Sequence, residues 1–194
     1  MMISAYRGMF DGCAIALLCL VSLSHSAPLS CEDLVRPLEQ LDPRHLEGRR
    51  ALVAGSLSHL PYMERFKDRD SATVNFVNNT SETNISMSRS LSSHNECHYV
   101  SYNISLEGSS FTYEDGNLTT TFIYTSCHDC ILMSFDVESG KRQHFYLFSR
   151  RRELEQTEME EFRAQVKCLN MPPPHVMDPT KKLCPEETAG NPAV

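Results

Sequence analysis

Between residues 48 and 149, apolar and polar side chains alternate in short runs separated by turn residues, the period-two pattern of half-buried strands. The runs predict strands over 49–58, 72–77, 84–91, 97–106, 110–113, 118–125, 131–137 and 143–149, with tight turns at Glu107-Gly108, Asp115-Gly116 and Ser139-Gly140. Successive strands with short links predict an all-β antiparallel up-and-down meander. At eight strands, such a meander closes most economically into a barrel. The period then changes. Met159, Phe162, Val166 and Leu169 recur at helical spacing, Thr157 and Glu160 have the spacing of a capping box, and Pro172-Pro173-Pro174 end the segment. One C-terminal helix is therefore expected to lay an apolar stripe on the outside of the sheet. The tail from 185 to 194 has no periodic pattern and is expected to be disordered.

The start of the chain follows a different pattern. Arg7 precedes an apolar run from Cys13 to Leu23, too short to span a bilayer, and Ser24-His25-Ser26 follows. This is the arrangement of a secretory signal peptide over residues 1–26, with cleavage after Ser26. It leaves one domain over 27–184. No second long apolar run follows, so a secreted, extracellular protein without stable membrane insertion is expected.

Composition narrows the choice of partner. The chain of 194 residues is 41% hydrophobic and 22% charged, and 25 Asp+Glu against 18 Lys+Arg give a net charge of −7. A nucleic-acid partner would require a basic face and is excluded on this balance. Two of the cysteines, Cys13 and Cys19, lie in the signal segment. The six that remain are Cys31, Cys97, Cys127, Cys130, Cys168 and Cys184, an even set that in a secreted chain implies disulfides of open pairing. Asn78, Asn79, Asn84, Asn103 and Asn117 head glycosylation triplets, and crowding lets only one of the overlapping Asn78 and Asn79 carry a glycan.

These acceptors also orient the strands. A glycosylated asparagine faces solvent and strand side chains alternate. Asn103 outward therefore puts Val100, Tyr102 and Ile104 inward, and Asn117 outward does the same for Leu118, Thr120, Phe122 and Tyr124. Asn84 outward turns Ile85, Met87, Arg89 and Leu91 inward. Met133, Phe135 and Val137 form another inward face, as do Tyr146 and Phe148. The inward sets are the more apolar ones, but parity leaves open whether the interior is filled or holds one small ligand.

A set of short segments in fixed order carries a resemblance. They are Pro28-Leu29-Ser30-Cys31, Leu46-Glu47-Gly48, Asn95-Glu96-Cys97, Thr125 to Cys130, Ser134 to Val137, Tyr146 to Ser149, Glu161-Phe162-Arg163 with Cys168-Leu169, and Lys181 to Cys184. Over essentially the whole expected mature chain, this order resembles the lipocalin family. It resembles in particular the alpha-1-acid glycoprotein branch and its group of saxitoxin- and tetrodotoxin-binding proteins of fish. One departure stands at the first strand. The family's Gly-x-Trp, whose Trp plugs the closed barrel end, is here Gly48-Arg49-Arg50, and the chain has no tryptophan. An inward Arg50 needs a partner or a water-accessible end.

The resemblance implies the bridges Cys31–Cys168 and Cys97–Cys184, leaving Cys127–Cys130 as a local bridge across a turn. Parity agrees that Cys97 faces outward, within reach of a C-terminal strap. It also implies a ligand at the open end of the barrel, with Leu52, Tyr62, Arg89, Phe122, Tyr124, Met133, Phe135, Tyr146 and Phe148 as contacts, Tyr62 lying in a lid-like first loop. Aromatic walls would bury area while a few polar tips set orientation. An inward Arg89 favours anionic ligands and repels guanidinium toxins, whereas a solvent-facing Arg89 does neither.

Two functional readings follow. The first is a monomeric secreted glycoprotein carrier of a small hydrophobic or amphiphilic molecule, a toxin or xenobiotic included, without cofactor or metal. The alternative is an acute-phase or immunomodulatory plasma glycoprotein acting through its surface and glycans. An enzyme is not expected, because no nucleophile elbow or zinc-binding His-Glu-x-x-His is present. The Cys127-x-x-Cys130 spacing also occurs in redox and zinc sites, but here it lacks the surrounding strand–helix pattern and a second ligand pair. His94 and His98 read as solvated, and Arg150-Arg151-Arg152 as a charged exit to the helix.

Overall fold

The computed structural model describes residues 29–78, 84–113 and 118–186. The expected signal peptide, the acceptors Asn79 and Asn117, and the tail from 187 lie outside the described residues, as does the Asn84 side chain.

Two short helices, α1 (Cys31–Leu34) and α2 (Pro43–Leu46), precede the sheet, and Asp42 caps α2 by accepting from the Arg44 N–H. The strands are β1 (Gly48–Leu57), β2 (Arg69–Asn78), β3 (Asn84–Ser93), β4 (Glu96–Ser105), β5 (Ser110–Thr112), β6 (Leu118–Ile123), β7 (Cys130–Val137) and β8 (Arg142–Ser149). Helix α3 (Leu60–Lys67) spans the β1–β2 connection, α4 (Gln156–Cys168) follows β8, and β9 (His175–Val176) pairs with β1. The spatial order β4-β3-β2-β1-β8-β7-β6-β5 is an antiparallel meander that curls until its first and last strands pair, β1 with β8. At the ends of the path, β4 and β5 come together, and the Tyr102 ring meets Tyr113 edge-on at 4.8 Å. This is the expected eight-stranded up-and-down barrel with one C-terminal helix.

β1 is buried on both faces because it is covered twice. Its inner side chains join the interior cluster with Val74, Phe76, Met87, Phe122 and Phe135, while Val53 and Ala54 lie beneath α4. The α4 stripe of Met159, Phe162 and Val166 packs on Leu132, Phe145 and Leu147, with the Phe145 and Phe162 rings stacked at 5.6 Å. Full burial of a side chain such as Phe162 contributes about 2–3 kcal/mol. Gln165, also buried, donates from Nε2 to the carbonyls of Leu34 and Tyr124 at 2.8 Å each, so the helix anchors both the N-terminal arm and the end of β6.

The helix begins earlier than the sequence pattern implied. Its N-cap is Glu155 and the reciprocal partner is Glu158, instead of Thr157 with Glu160. Arg151 explains the shift. It grips Glu158 and Asp129 at 2.7 Å each, which fixes the first turn two residues upstream. Disulfides join Cys31 to Cys168, Cys97 to Cys184 and Cys127 to Cys130. The Cys97 bridge secures a C-terminal strap, which further accepts hydrogen bonds from Ser71 at the Lys182 carbonyl and from Tyr99 at the Pro185 carbonyl. Among the described residues, no helix is long and apolar enough to cross a membrane.

Candidate ligand-binding site

The two ends of the barrel differ. Where β1 begins, Arg50 is 1% exposed. Its guanidinium donates to the carbonyls of His45, Leu46 (2.7 Å) and Glu47, and its Nε to that of Asp129. Main-chain oxygens of the α2 turn and the β6–β7 turn thus receive the charge that the tryptophan position carries here. Burial, with a contribution from Arg150, pushes the Arg50 pKa down to about 10, and Asp129 opposes this. Above this floor Phe76, Met87, Phe111, Phe122 and Met133 fill the interior at 0–1% exposure, with Phe122 packed 6.1 Å from Phe76 and 5.9 Å from Phe111. The lower half of the barrel is solid core.

Toward the other end the filling stops. A cavity of about 220 Å³ is walled by Leu52 and Ala72, by Leu91, Val100 and Tyr102, and by Tyr146 and Phe148, with Arg69, Arg89 and His98 as its charged or titratable lining. Val100 and Tyr102 remain 47% and 36% exposed although they share the inward parity of Ile104, because the cavity opens beside β4. At the rim, the Phe66 ring of α3 stacks on Tyr146 at 5.5 Å. Gly55 makes this possible. A Cβ there would stand 2.6 Å from Tyr146 Cδ1 and 2.7 Å from Phe66 Cζ.

Of the residues expected to contact ligand, Leu52, Arg89, Tyr146 and Phe148 line this cavity. Phe135 lies behind them, 5.4 Å from the Tyr146 ring and 5.5 Å from the Arg89 guanidinium. Phe122 and Met133 belong to the solid core below. Tyr62 stands on α3 with the Arg65 and Arg142 guanidinium groups each 4.8 Å from its ring, outside the cavity wall. Tyr124 departs furthest from expectation. It lies past the end of β6, where the N-terminal arm takes over the edge: its N–H donates to the Arg36 carbonyl and the Arg36 guanidinium covers its ring at 4.3 Å. Strand parity therefore ends before Tyr124.

Arg69 enters the site without having been singled out. It does so because β2 starts three residues before its alternating run, across a register shift between Arg69 and Ser71 that hides the parity. His144, on β8 near Tyr146 but outside the cavity wall, is driven down to about 4 by burial and then by the charges of Arg69, Arg142 and Arg89. It is therefore neutral at physiological pH. Among the glycan acceptors, Asn103 is exposed and accepts from Ser86 at 3.0 Å, whereas Asn78 is half-buried with a buried, unpartnered Oδ1. Cys127, Asp129 and Cys130 are grouped closely enough to suit a metal, but the two sulfurs are joined in a disulfide.

A second hollow, of about 330 Å³, lies near the closed end between the N-terminal arm and the β6–β7 turn, with Leu38, Leu41, Ile123 and Ile131 in its walls.

No protein-family model and no curated protein matches the sequence. Solved structures do match. The siderocalin Ex-FABP, described as functioning through dual ligand specificities, is 16% identical with a TM-score of 0.64, over 77% of this chain and 99% of its own. Siderocalin Q83, described as having a dual ligand binding mode, is 17% identical with a TM-score of 0.63, over 76% and 98%. At such identity the likeness is one of architecture, and it agrees with the strand order and the helix seen here: the chain has the lipocalin fold.

Proposed function

We propose that this protein is a secreted glycoprotein carrier that holds one small hydrophobic or amphiphilic molecule in the open-end cavity. The observation that carries the reading is the change in filling along the barrel: tight packing at Phe122 and Met133 gives way to an aromatic-walled space bounded by Tyr146, Phe148 and Tyr102. The space is small beside ordinary ligand pockets of about 300–1,000 Å³, so it selects compact ligands or one end of a longer one. The two siderocalins, whose descriptions name dual ligands, support the idea that a barrel of this build accommodates small molecules. Secretion rests on the apolar N-terminal run, the disulfides and the glycan acceptors.

The resemblance to the alpha-1-acid glycoprotein branch favours a carrier, a toxin carrier included. Within that class the charges discriminate. Two like charges at 4 Å repel by about 4 kcal/mol at an effective dielectric near 20. Arg69 and Arg89 in the wall therefore disfavour guanidinium toxins relative to neutral or anionic ligands. A surface-acting immune or acute-phase glycoprotein is the second reading, favoured by the solid lower half of the barrel. Titration of the purified protein with the neutral dye N-phenyl-1-naphthylamine separates the two. A carrier gives saturable emission enhancement at one dye per chain, displaced by small amphiphiles. Absence of saturable binding favours the surface-acting glycoprotein.

A further inference from the structure

The hollow of about 330 Å³ near the closed end has a disulfide in its wall. Cys127 and Cys130 both line it, with Leu38 and Leu41 of the N-terminal arm among the other walls. The two cysteines are only 3% and 2% exposed, so the hollow is the approach open to a small reagent.

The turn does not depend on this bond. Of the three bridges it closes the shortest loop, 3 residues against 137 and 87, and so removes the least entropy from the unfolded chain. Hydrogen bonds hold the same turn. The Cys130 N–H donates to the Cys127 carbonyl at 3.2 Å, and Ser126 donates from its N–H and its hydroxyl to Glu161 of α4. Asp129, inside the loop, binds Arg151 at 2.7 Å and accepts from Ser149 at 3.2 Å. Opening the disulfide therefore leaves the turn in place.

Thiol–disulfide exchange proceeds by attack of a thiolate on one sulfur while the other departs, and it is faster when the departing sulfur is stabilised. Cys127 Sγ is placed to depart. Arg151 Nη2 lies 3.3 Å from it and Asp129 Oδ1 3.2 Å. The first can donate to a thiolate, and the second can accept from the thiol that forms on protonation. Glu158 shares the guanidinium at 2.7 Å and tempers its charge, so it is this donor–acceptor pair that receives the released sulfur.

We propose that Cys130 is a site of reversible S-thiolation by a compact thiol that enters the hollow. The incoming thiolate forms a bond to Cys130 Sγ as the Cys130–Cys127 bond breaks. The electron pair leaves on Cys127, which takes a proton from water. Return attack by the Cys127 thiolate expels the small thiol and restores the bridge, so the cycle requires no other oxidant. The site is separate from the barrel cavity and does not rest on the carrier reading.

Exposure alone would direct a thiol elsewhere, because Cys31 and Cys97 are exposed whereas Cys127 and Cys130 are buried. That contrast supplies the test. The full secreted chain is incubated with millimolar cysteine, trapped with N-ethylmaleimide and mapped by peptide mass spectrometry. Cysteinylated Cys130 with labelled Cys127 should form at least about tenfold faster than any adduct at Cys31 or Cys97. The near-ultraviolet circular dichroism of the tyrosines should be unchanged. A thiol-terminated polyethylene glycol too large for the hollow should lose the preference for Cys130. Cysteine should lose it with Leu41→Trp, whose ring fills the space. The polymer comparison carries the test if that variant does not fold. Adducts that form first or equally fast at Cys31 or Cys97 overturn the inference. An unchanged preference with the polymer, or loss of the tyrosine signal as the bond opens, also overturns it.

Discussion

At the scale of single residues, charge is placed where apolar packing is the usual solution, and each placement has a measurable consequence. Arg50 is held by main-chain oxygens from two separate turns, so its fork is a structural clamp across the barrel floor. Arg50→Ala leaves those carbonyls buried and unpaired and should cost about 3 kcal/mol in urea unfolding, with little recovery in Arg50→Lys, whose ammonium cannot span both turns. The sequence showed that Arg50 stands at the tryptophan position. It could not show the partners, because backbone carbonyls have no sequence signature. His144 gives a pH dependence. Its folded-state pKa lies below the ordinary value near 6.5, so the folded protein holds the neutral form and binds fewer protons than the unfolded chain. Stability from this group is full above pH 6.5 and is lost as pH falls toward 4, by about 2 kcal/mol after allowing for partial exposure. His175, lowered mainly by burial, acts in the same direction. Thermal midpoints measured across this window should fall, and the slope should lessen in His144→Gln.

At the scale of elements, close approach and cross-links decide the geometry. Gly55→Ala forces the Tyr146 ring or α3 to move, since a Cβ there falls within 3 Å of both rings. Overpacking of this kind costs about 1–3 kcal/mol. Because Tyr146 lines the cavity, the variant should lose dye affinity along with thermal stability. The disulfides should rank by the length of chain they close. Cys31–Cys168 spans 137 residues and Cys127–Cys130 only 3, so on the chain-entropy account replacing each pair by alanine costs about 5 and about 2 kcal/mol respectively. Comparative chemical denaturation checks the order. Most strands were legible in the sequence because one face of each is apolar; β3 carries Met87, Arg89 and Leu91 inward as the alternation required. The short α3 was not legible. It presents only Met63 and Phe66 to the core, too brief a stripe to stand out from a loop. The start of α4 was misplaced for a related reason, since its cap is fixed by Arg151 and Asp129, residues outside the local pattern.

At the scale of the whole molecule, barrel closure and cavity are linked. The β1–β8 ladder closes one side of the curl, while β4 and the three-residue β5 come together beside the Tyr102–Tyr113 ring contact, with Val100 and Tyr102 part-exposed beside the cavity. The barrel class was readable from strand count and spacing. How far its interior is filled was not, because parity tells which way a side chain points and not how much space remains. An acidic chain of net charge −7 thus carries a small cavity lined by two arginines, an arrangement visible only once the strands are assembled. On the carrier reading, this cavity and no other part of the surface holds the ligand. Ala72 lines it and is half-buried, so Ala72→Phe places a ring in the space itself. The most direct test is isothermal titration of the native protein and Ala72→Phe with N-phenyl-1-naphthylamine, with thermal unfolding followed in parallel. The native chain should bind one dye saturably, and the variant should bind at least about tenfold more weakly while still unfolding cooperatively. Equal affinity in the two proteins would contradict the account.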